Sequence, residues 1–235
     1  MFIPLKDENP IVRKPVVTII LIALNVLVYL FTMTRTSRAF EAIIFQYGLI
    51  PVELTHLAEA TPSLPSPIFL TPFTSMFLHG GLMHLAGNML FLWVFGNNIE
   101  DHLGPFRFLL FYLVAGLAAD FLFVVFNPSS TVPLVGASGA IAGVLGAYMF
   151  LFPRARILTL IFLFYFIRIV RLPAVVVLGF WIFYQILMSA LSTGAGGGVA
   201  WLAHVGGFAF GWLWFRIFAS KGKSGRQRIY RVERE

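Results

Sequence analysis

The chain has 235 residues, of which 59% are hydrophobic and 11% are charged. A soluble domain of this length needs a much larger charged surface, so the composition excludes that class and indicates a multi-spanning membrane protein. The absence of cysteine excludes disulfides and cysteine-ligated metals, and we expect neither a metal nor a cofactor. The net charge of +7 is concentrated beside the last apolar run, which favours contact with anionic lipids over nucleic acid.

Long apolar runs predict an all-α, polytopic membrane domain over residues 16–219. Its six predicted spans are residues 16–34, 80–97, 106–126, 136–152, 173–191 and 199–219. Residues 1–15 and 220–235 are predicted to be tails, the second of them basic. The apolar stretch 157–167 is too short for a span, so we interpret it as an interfacial segment, with a re-entrant piece as the alternative.

The distribution of positive charge predicts that both termini are cytoplasmic. Of the 17 lysines and arginines, only Arg35 and Arg38 fall in a segment that this orientation places outside. The compact chain shows no organellar presequence, so we expect a prokaryotic plasma membrane.

Two outer segments and one span have distinctive sequence patterns. The stretch "FEAIIFQYGLIP" in the long loop 35–75 is amphipathic and suits the outer membrane surface. The glycines of loop 192–198 suit a mobile cap. Three aromatic residues make span five a candidate gate, although lipid contact explains them equally well: Phe180, Trp181 and Phe183.

Four polar side chains from distant stretches are predicted to lie at one depth, near the outer face. Spans two, four and six all run from outside to inside in this orientation. His84 and Asn88 share one face of span two at i, i+4 spacing, Ser138 opens span four, and His204 lies early in span six. Polar groups inside spans are costly and mark function or helix contacts.

Small residues repeat every four positions on spans four and six, which lets two helix backbones approach closely. The repeats are Gly139 and Gly143 on span four, and Gly207 and Gly211 on span six. If these spans pack together, Ser138 and His204 come within reach of each other.

This constellation suits nucleophilic catalysis by a dyad. Ser138 supplies a hydroxyl and His204 an adjacent base, while His84, Asn88 and a backbone N–H are candidate oxyanion donors. Taken alone, the serine or the histidine is more often a helix contact, but the shared depth favours chemistry. No third group that orients the base is evident, and we interpret Asp120 as structural.

Other membrane chemistries fit the sequence less well. The chain has no HExxH pattern for a zinc protease, and the spans offer a single carboxylate where an aspartyl mechanism needs two. Transporters often contain internal repeats, and this sequence shows no clear one.

Four motifs in order resemble the rhomboid family of intramembrane serine proteases, over about residues 10–218. They are "HGGLMHLAGN", "FGNNIEDHLGPFRFLLFYL", "GASG" and "AHVGGFAFG". The resemblance implies a six-helix bundle that cleaves transmembrane protein substrates within the bilayer, at a site toward the outer face. The oligomeric state stays open.

The resemblance also implies a role for each matching residue. Ser138 becomes the nucleophile, His204 the base and later the acid, and His84 and Asn88 the oxyanion donors. His79 becomes structural, tying the outer loop to span two, and Glu100 in the inner loop holds a hydrogen-bond network. Some members carry an aromatic residue where this chain has Ala142. The alternative is a non-catalytic relative that binds transmembrane helices as a chaperone or adaptor.

Overall fold

The structure is a computed structural model that describes residues 2–57, 68–163, 166–191 and 200–218. The predicted cap 192–198 and the basic tail 220–235 therefore lie outside the described residues. In chain order the elements are β1 (Phe2–Asp7), α1 (Val16–Met33), α2 (Ser37–Tyr47), α3 (Pro51–His56), α4 (Thr71–Thr74), α5 (Leu82–Phe91), α6 (Asn97–Leu103), α7 (Pro105–Phe126), α8 (Ser138–Leu151), β2 (Arg156–Leu163), β3 (Phe166–Pro173), α9 (Ala174–Leu191) and α10 (Trp201–Phe218).

The predicted helical, polytopic membrane bundle is confirmed. Within the described ranges, α1, α7 and α9 are long and apolar enough to cross a membrane. The pair Thr71–Phe77 and Leu82–Leu103 is bent by 93° and adds a fourth crossing if it is one broken span. Helix α8 is apolar but shorter, so the count of six spans stays a prediction.

Helix α8 forms the centre of the bundle. Every residue from Gly139 to Tyr148 is buried, which is expected of a helix that is apolar on all sides. Its 14 residues measure about 21 Å at the usual rise, which is less than a bilayer core of roughly 30 Å. Helix α8 is therefore too short by itself to cross the hydrocarbon core of a bilayer.

Span two continues further than the sequence indicates. A π-helical turn at Leu92–Gly96 joins α5 to α6, so Glu100 lies in a helix rather than in the predicted inner loop. Gly104 then turns the chain with a φ of +80°, which favours glycine, and Pro105 begins α7 at a position that needs no backbone N–H.

Glu100 ties this end of span two to the start of α1. Its carboxylate accepts hydrogen bonds from the backbone N–H groups of Val17 at 2.9 Å and Thr18 at 2.7 Å. The Thr18 hydroxyl donates a third bond at 2.8 Å. Backbone donors in the first turn of a helix have no partner within that helix, so the carboxylate satisfies them and fixes α1 against α6.

The amphipathic stretch of the outer loop forms α2, in which no residue is buried. The loop then pairs with the chain just before α8. The backbones of Leu49 and Leu134 exchange two hydrogen bonds, of 3.0 and 2.7 Å. The outer loop therefore holds the segment that leads to Ser138.

A three-stranded antiparallel sheet, in the order β1-β2-β3, is present and was not predicted. Residues 157–167, interpreted from sequence as an interfacial segment, contribute to a hairpin. Phe2–Asp7, predicted as tail, forms the strand that pairs with it. Ile157 and Thr159 of β2 are fully buried, and the Phe2 ring lies 4.7 Å from that of Phe180 on α9, so the sheet packs on the helices.

The last residue of β1 anchors the sheet to the bundle. The buried Asp7 carboxylate accepts hydrogen bonds from the Tyr148 hydroxyl at 2.9 Å and the Asn98 amide at 2.5 Å. Since Tyr148 belongs to α8 and Asn98 to α6, one carboxylate holds strand and helices together.

Candidate active site

Ser138 is the first residue of α8 and follows a turn that requires glycine. Gly136 has a φ of +125°, a region that residues with a side chain rarely adopt. A Cβ there would lie 2.7 Å from Cε1 of His84, so the backbone passes directly against that imidazole. The Gly136 N–H donates to the Ser75 carbonyl at 2.9 Å. These contacts fix the turn and place Ser138, half-buried, at the helix start.

Two glycines of α10 let it pack backbone to backbone against α8. A Cβ added at Gly207 would collide with the carbonyl oxygen of Gly139, and one at Gly211 with that of Gly143. The missing side chains of the two α8 glycines face alanine side chains of α7 instead. The small residues on α8 therefore serve two helix contacts, of which the sequence indicated one.

This packing brings Ser138 and His204 together. His204 lies in the first turn of α10 and is 8% exposed. Its Nε2 atom lies 2.8 Å from the Ser138 hydroxyl oxygen. The distance is that of a hydrogen bond between a nucleophile and a base.

Gln185 contacts the other ring nitrogen of His204 and was missed in the sequence. Its side-chain oxygen lies 2.8 Å from His204 Nδ1, and Gln185 is 4% exposed. The sequence carries a signal for it, because an amide in the outer part of an apolar span is costly to bury, as are the polar residues of spans two, four and six.

His84, Asn88 and His79 lie beside the turn that precedes Ser138. His84 is exposed and Asn88 is buried, and an added Cβ at Gly136 would lie within 3.6 Å of the Asn88 Nδ2 atom. His79 is 1% exposed, and its Nε2 atom lies 2.9 Å from that same Nδ2. The Asn88 amide carries two N–H groups, so one remains for a ligand when the other donates to His79.

Asp120 takes no part in this cluster of polar contacts. It is buried on α7, and its Oδ2 atom has no hydrogen-bond partner among the residues that the structure describes. Because His204 Nδ1 bonds to Gln185, the base has a partner other than a carboxylate. The structural interpretation of Asp120 stays a prediction.

The three aromatic residues of the candidate gate face different ways. Phe180 and Phe183 are 47% and 60% exposed, which fits lipid contact. Trp181 is half-buried, and its ring lies 5.7 Å from the His204 ring and 6.4 Å from that of Phe91 on α5. Only Trp181 of the three connects α9 to both span two and the site.

The arrangement has the parts of a site for acyl transfer. A hydroxyl is paired with an imidazole, and amide and imidazole groups lie beside the turn before it. The hydroxyl also stands at a helix N-terminus, where unpaired N–H groups and the helix dipole favour negative charge.

Known proteins resemble this chain over most of its membrane bundle. A family described as Rhomboid domain matches residues 69–221. The chain is 33% identical over 164 residues to "Rhomboid protein 1, mitochondrial" of Saccharomyces cerevisiae, a match that covers 66% of this chain and 43% of the relative.

Two further relatives carry rhomboid names. "Rhomboid protease GluP" of Bacillus subtilis is 33% identical over 58% of this chain and 25% of the relative. "Presenilin-associated rhomboid-like protein, mitochondrial" of Mus musculus is 35% identical over 53% of this chain and 34% of the relative. The chain thus spans less than half the length of each relative. With most of its membrane bundle matched, this chain belongs to the rhomboid family.

Proposed function

We propose that this protein is an intramembrane serine protease that hydrolyses peptide bonds in or near the transmembrane helices of membrane-protein substrates. The observation that carries the proposal is the 2.8 Å hydrogen bond between Ser138 Oγ and His204 Nε2. The family membership and the relative named as a rhomboid protease support the same reaction class.

The first step is acyl transfer to the serine. His204 Nε2 takes the hydroxyl proton as Ser138 Oγ attacks the peptide carbonyl carbon, which gives a tetrahedral oxyanion. When this intermediate collapses, the carbon–nitrogen bond breaks and His204 returns the proton to the leaving amine. The N-terminal fragment of the substrate, which carried the attacked carbonyl, remains bound to Ser138 as an ester.

The oxyanion is stabilised by donors beside the Gly136 turn. The spare N–H of Asn88, the His84 imidazole and the backbone N–H of Ser138 are the donors that we assign to it. His79 holds the Asn88 amide in place. Loss of one such donor typically costs about 10²–10³ in turnover.

The second step is hydrolysis of the ester. Water donates a proton to His204 and attacks the ester carbonyl, and the proton then returns to Ser138 as the acid product leaves. The exposed edge of His84 and the half-buried serine support access of water to the site. Hydrated polar groups at such a site are compatible with lipid around the helices.

The substrate is a transmembrane protein that enters from the bilayer. Its scissile segment must unwind, because a helical peptide carbonyl is occupied by its own hydrogen bond, so we expect helix-weakening residues there.

We further propose that both termini are cytoplasmic, that the site faces the outer side, and that the membrane is a prokaryotic plasma membrane. The relatives named above include mitochondrial proteins as well as a bacterial one.

A fluorophosphonate probe tests the proposed nucleophile. The probe bonds covalently to an activated serine hydroxyl, so we expect labelling of the wild-type protein in detergent and none of Ser138→Ala. His204→Ala should label at least about 100-fold more slowly, because the hydroxyl then lacks its base. Ser189→Ala, which removes a half-buried serine from α9, is the matched control and should label like the wild type.

Two results contradict the proposal. Labelling that persists in Ser138→Ala places the reactive group elsewhere. A folded wild-type protein that never labels favours the non-catalytic helix-binding relative instead.

A further inference from the structure

Gln185 is held in one orientation by its own helix. Its side-chain Nε2 lies 3.3 Å from the carbonyl oxygen of Trp181, four residues earlier on α9. A carbonyl only accepts hydrogen bonds, so the NH₂ end of the amide must face it. The oxygen end of the amide therefore faces His204 Nδ1, at 2.8 Å.

This orientation determines where His204 carries its proton. The amide oxygen only accepts, so Nδ1 must be the protonated nitrogen of the neutral ring. The lone pair of Nε2 is then left for the Ser138 hydroxyl, 2.8 Å away. That is the tautomer required of a general base in this dyad.

The imidazole is also enclosed by aromatic rings. The Trp181 ring lies 5.7 Å from the His204 ring with 38° between their planes, and the Trp201 ring lies 6.3 Å away at 87°. Ala142 of α8 is fully buried and has no ring to offer. Of these contacts, the hydrogen bond and the closer ring both come from α9.

We propose that Gln185 is the positioning residue of the catalytic base, holding His204 in the tautomer and orientation that activate Ser138. This inference rests on the proposed protease function. It gives the dyad a third member that is neutral and that lies on α9, the span whose Trp181 also meets span two.

Two substitutions at this position separate positioning from packing. Gln185→Met keeps the side-chain length and volume but removes the acceptor, which leaves the buried N–H at His204 Nδ1 without its partner. We therefore expect kcat to fall about 10- to 100-fold with little change in KM. Gln185→Glu keeps the acceptor and should retain kcat within about 5-fold. Its negative charge favours the protonated imidazole, so the acidic limb of the pH–rate profile should move to higher pH by about one unit.

The measurements use the full-length protein in detergent with a single-span substrate. Active sites are counted by fluorophosphonate labelling at saturation, so that kcat refers to folded enzyme. Ser189→Ala, one helical turn from Gln185 on α9, is the matched control and should keep the wild-type kcat and pH profile.

The inference is overturned if Gln185→Met keeps the wild-type kcat, or if Gln185→Glu loses activity as Met does and leaves the pH profile unshifted. A Met variant that fails to fold still leaves the Glu variant to decide, because a packing role predicts no pH shift. Failure of the wild type itself to cleave or to label refutes the proposed function instead.

Discussion

At the scale of single residues, contact between α8 and α10 depends on glycines whose Cβ would meet the backbone of the other helix. Gly207 and Gly211 place backbone against the carbonyl groups of α8, and a carbonyl cannot rotate away as a side chain can. The distance between Ser138 and His204 depends on this approach, because each residue belongs to one of the two helices.

Adding one methyl group at Gly211 should therefore separate the helices. We expect Gly211→Ala to lower the free energy of unfolding by about 1–3 kcal/mol, the usual range for overpacking, and to slow fluorophosphonate labelling. Gly179→Ala on α9 is the matched control, since a Cβ there meets nothing within 4 Å. Equal thermal unfolding of the two variants in detergent would contradict the described packing.

Some of these residue contacts were predictable from the sequence and others were not. The pairing of Ser138 with His204 followed from their common depth and from the glycine repeats, which are local patterns. Gln185 was not predicted, because an uncharged amide is a weaker signal for a partner of a base than a carboxylate is. The carboxylate in the spans, Asp120, bonds to no described residue through Oδ2.

At the scale of elements, the three-stranded sheet was not predicted from the sequence. Strand β2 has no regular alternation of polar and apolar residues, and its partner β1 is about 150 positions away in the chain. A run of apolar residues cannot reveal such a distant partner, so Phe2–Asp7 was predicted to be part of a tail. The helices were predictable because their signal is contained within each segment.

The burial of Asp7 at the end of β1 leads to a prediction about how the stability of the fold depends on pH. Burial raises the pKa of the Asp7 carboxyl above its usual value of 3.8, and hydrogen bonds from Tyr148 and Asn98 offset this in part. The folded protein thus binds this proton more tightly than the unfolded chain does. The stabilisation that the proton gives is complete below the unfolded pKa and is lost as pH rises through the raised folded pKa.

Asp7→Asn isolates this effect, because the amide stays neutral and keeps an oxygen acceptor. As pH rises above about 4 the wild type should lose stability relative to the variant, and the loss should level off once Asp7 is ionised in the folded protein. The measurement is the difference between their thermal unfolding midpoints in detergent. A difference that does not change with pH would contradict an elevated pKa.

At the scale of the whole molecule, orientation in the membrane links the site to its substrates. From the distribution of positive charge we propose that the termini lie inside, and this orientation puts the Ser138 end of α8 toward the outer face. The number of six spans also stays a prediction. Helix α8 is shorter than a full crossing, and the segment before span two is bent relative to it. The sequence predicted the bundle but gave no indication of the 93° bend.

Cysteine labelling tests this orientation, because the chain has no cysteine of its own. In intact cells we expect Thr131→Cys, in the loop before α8, to react with a membrane-impermeant maleimide. Ser224→Cys, in the C-terminal segment outside the described residues, should react only after permeabilisation. The opposite pattern would reverse the topology and place the site on the inner side.

The most direct measurement is cleavage of a single-span substrate by the purified protein in liposomes, with the new N-terminus identified by mass spectrometry. We predict a cut near the outer end of the substrate helix, abolished in Ser138→Ala and reduced at least about 100-fold in His204→Ala. Cleavage at the same bond by Ser138→Ala would show that the hydroxyl 2.8 Å from the His204 imidazole is not the nucleophile.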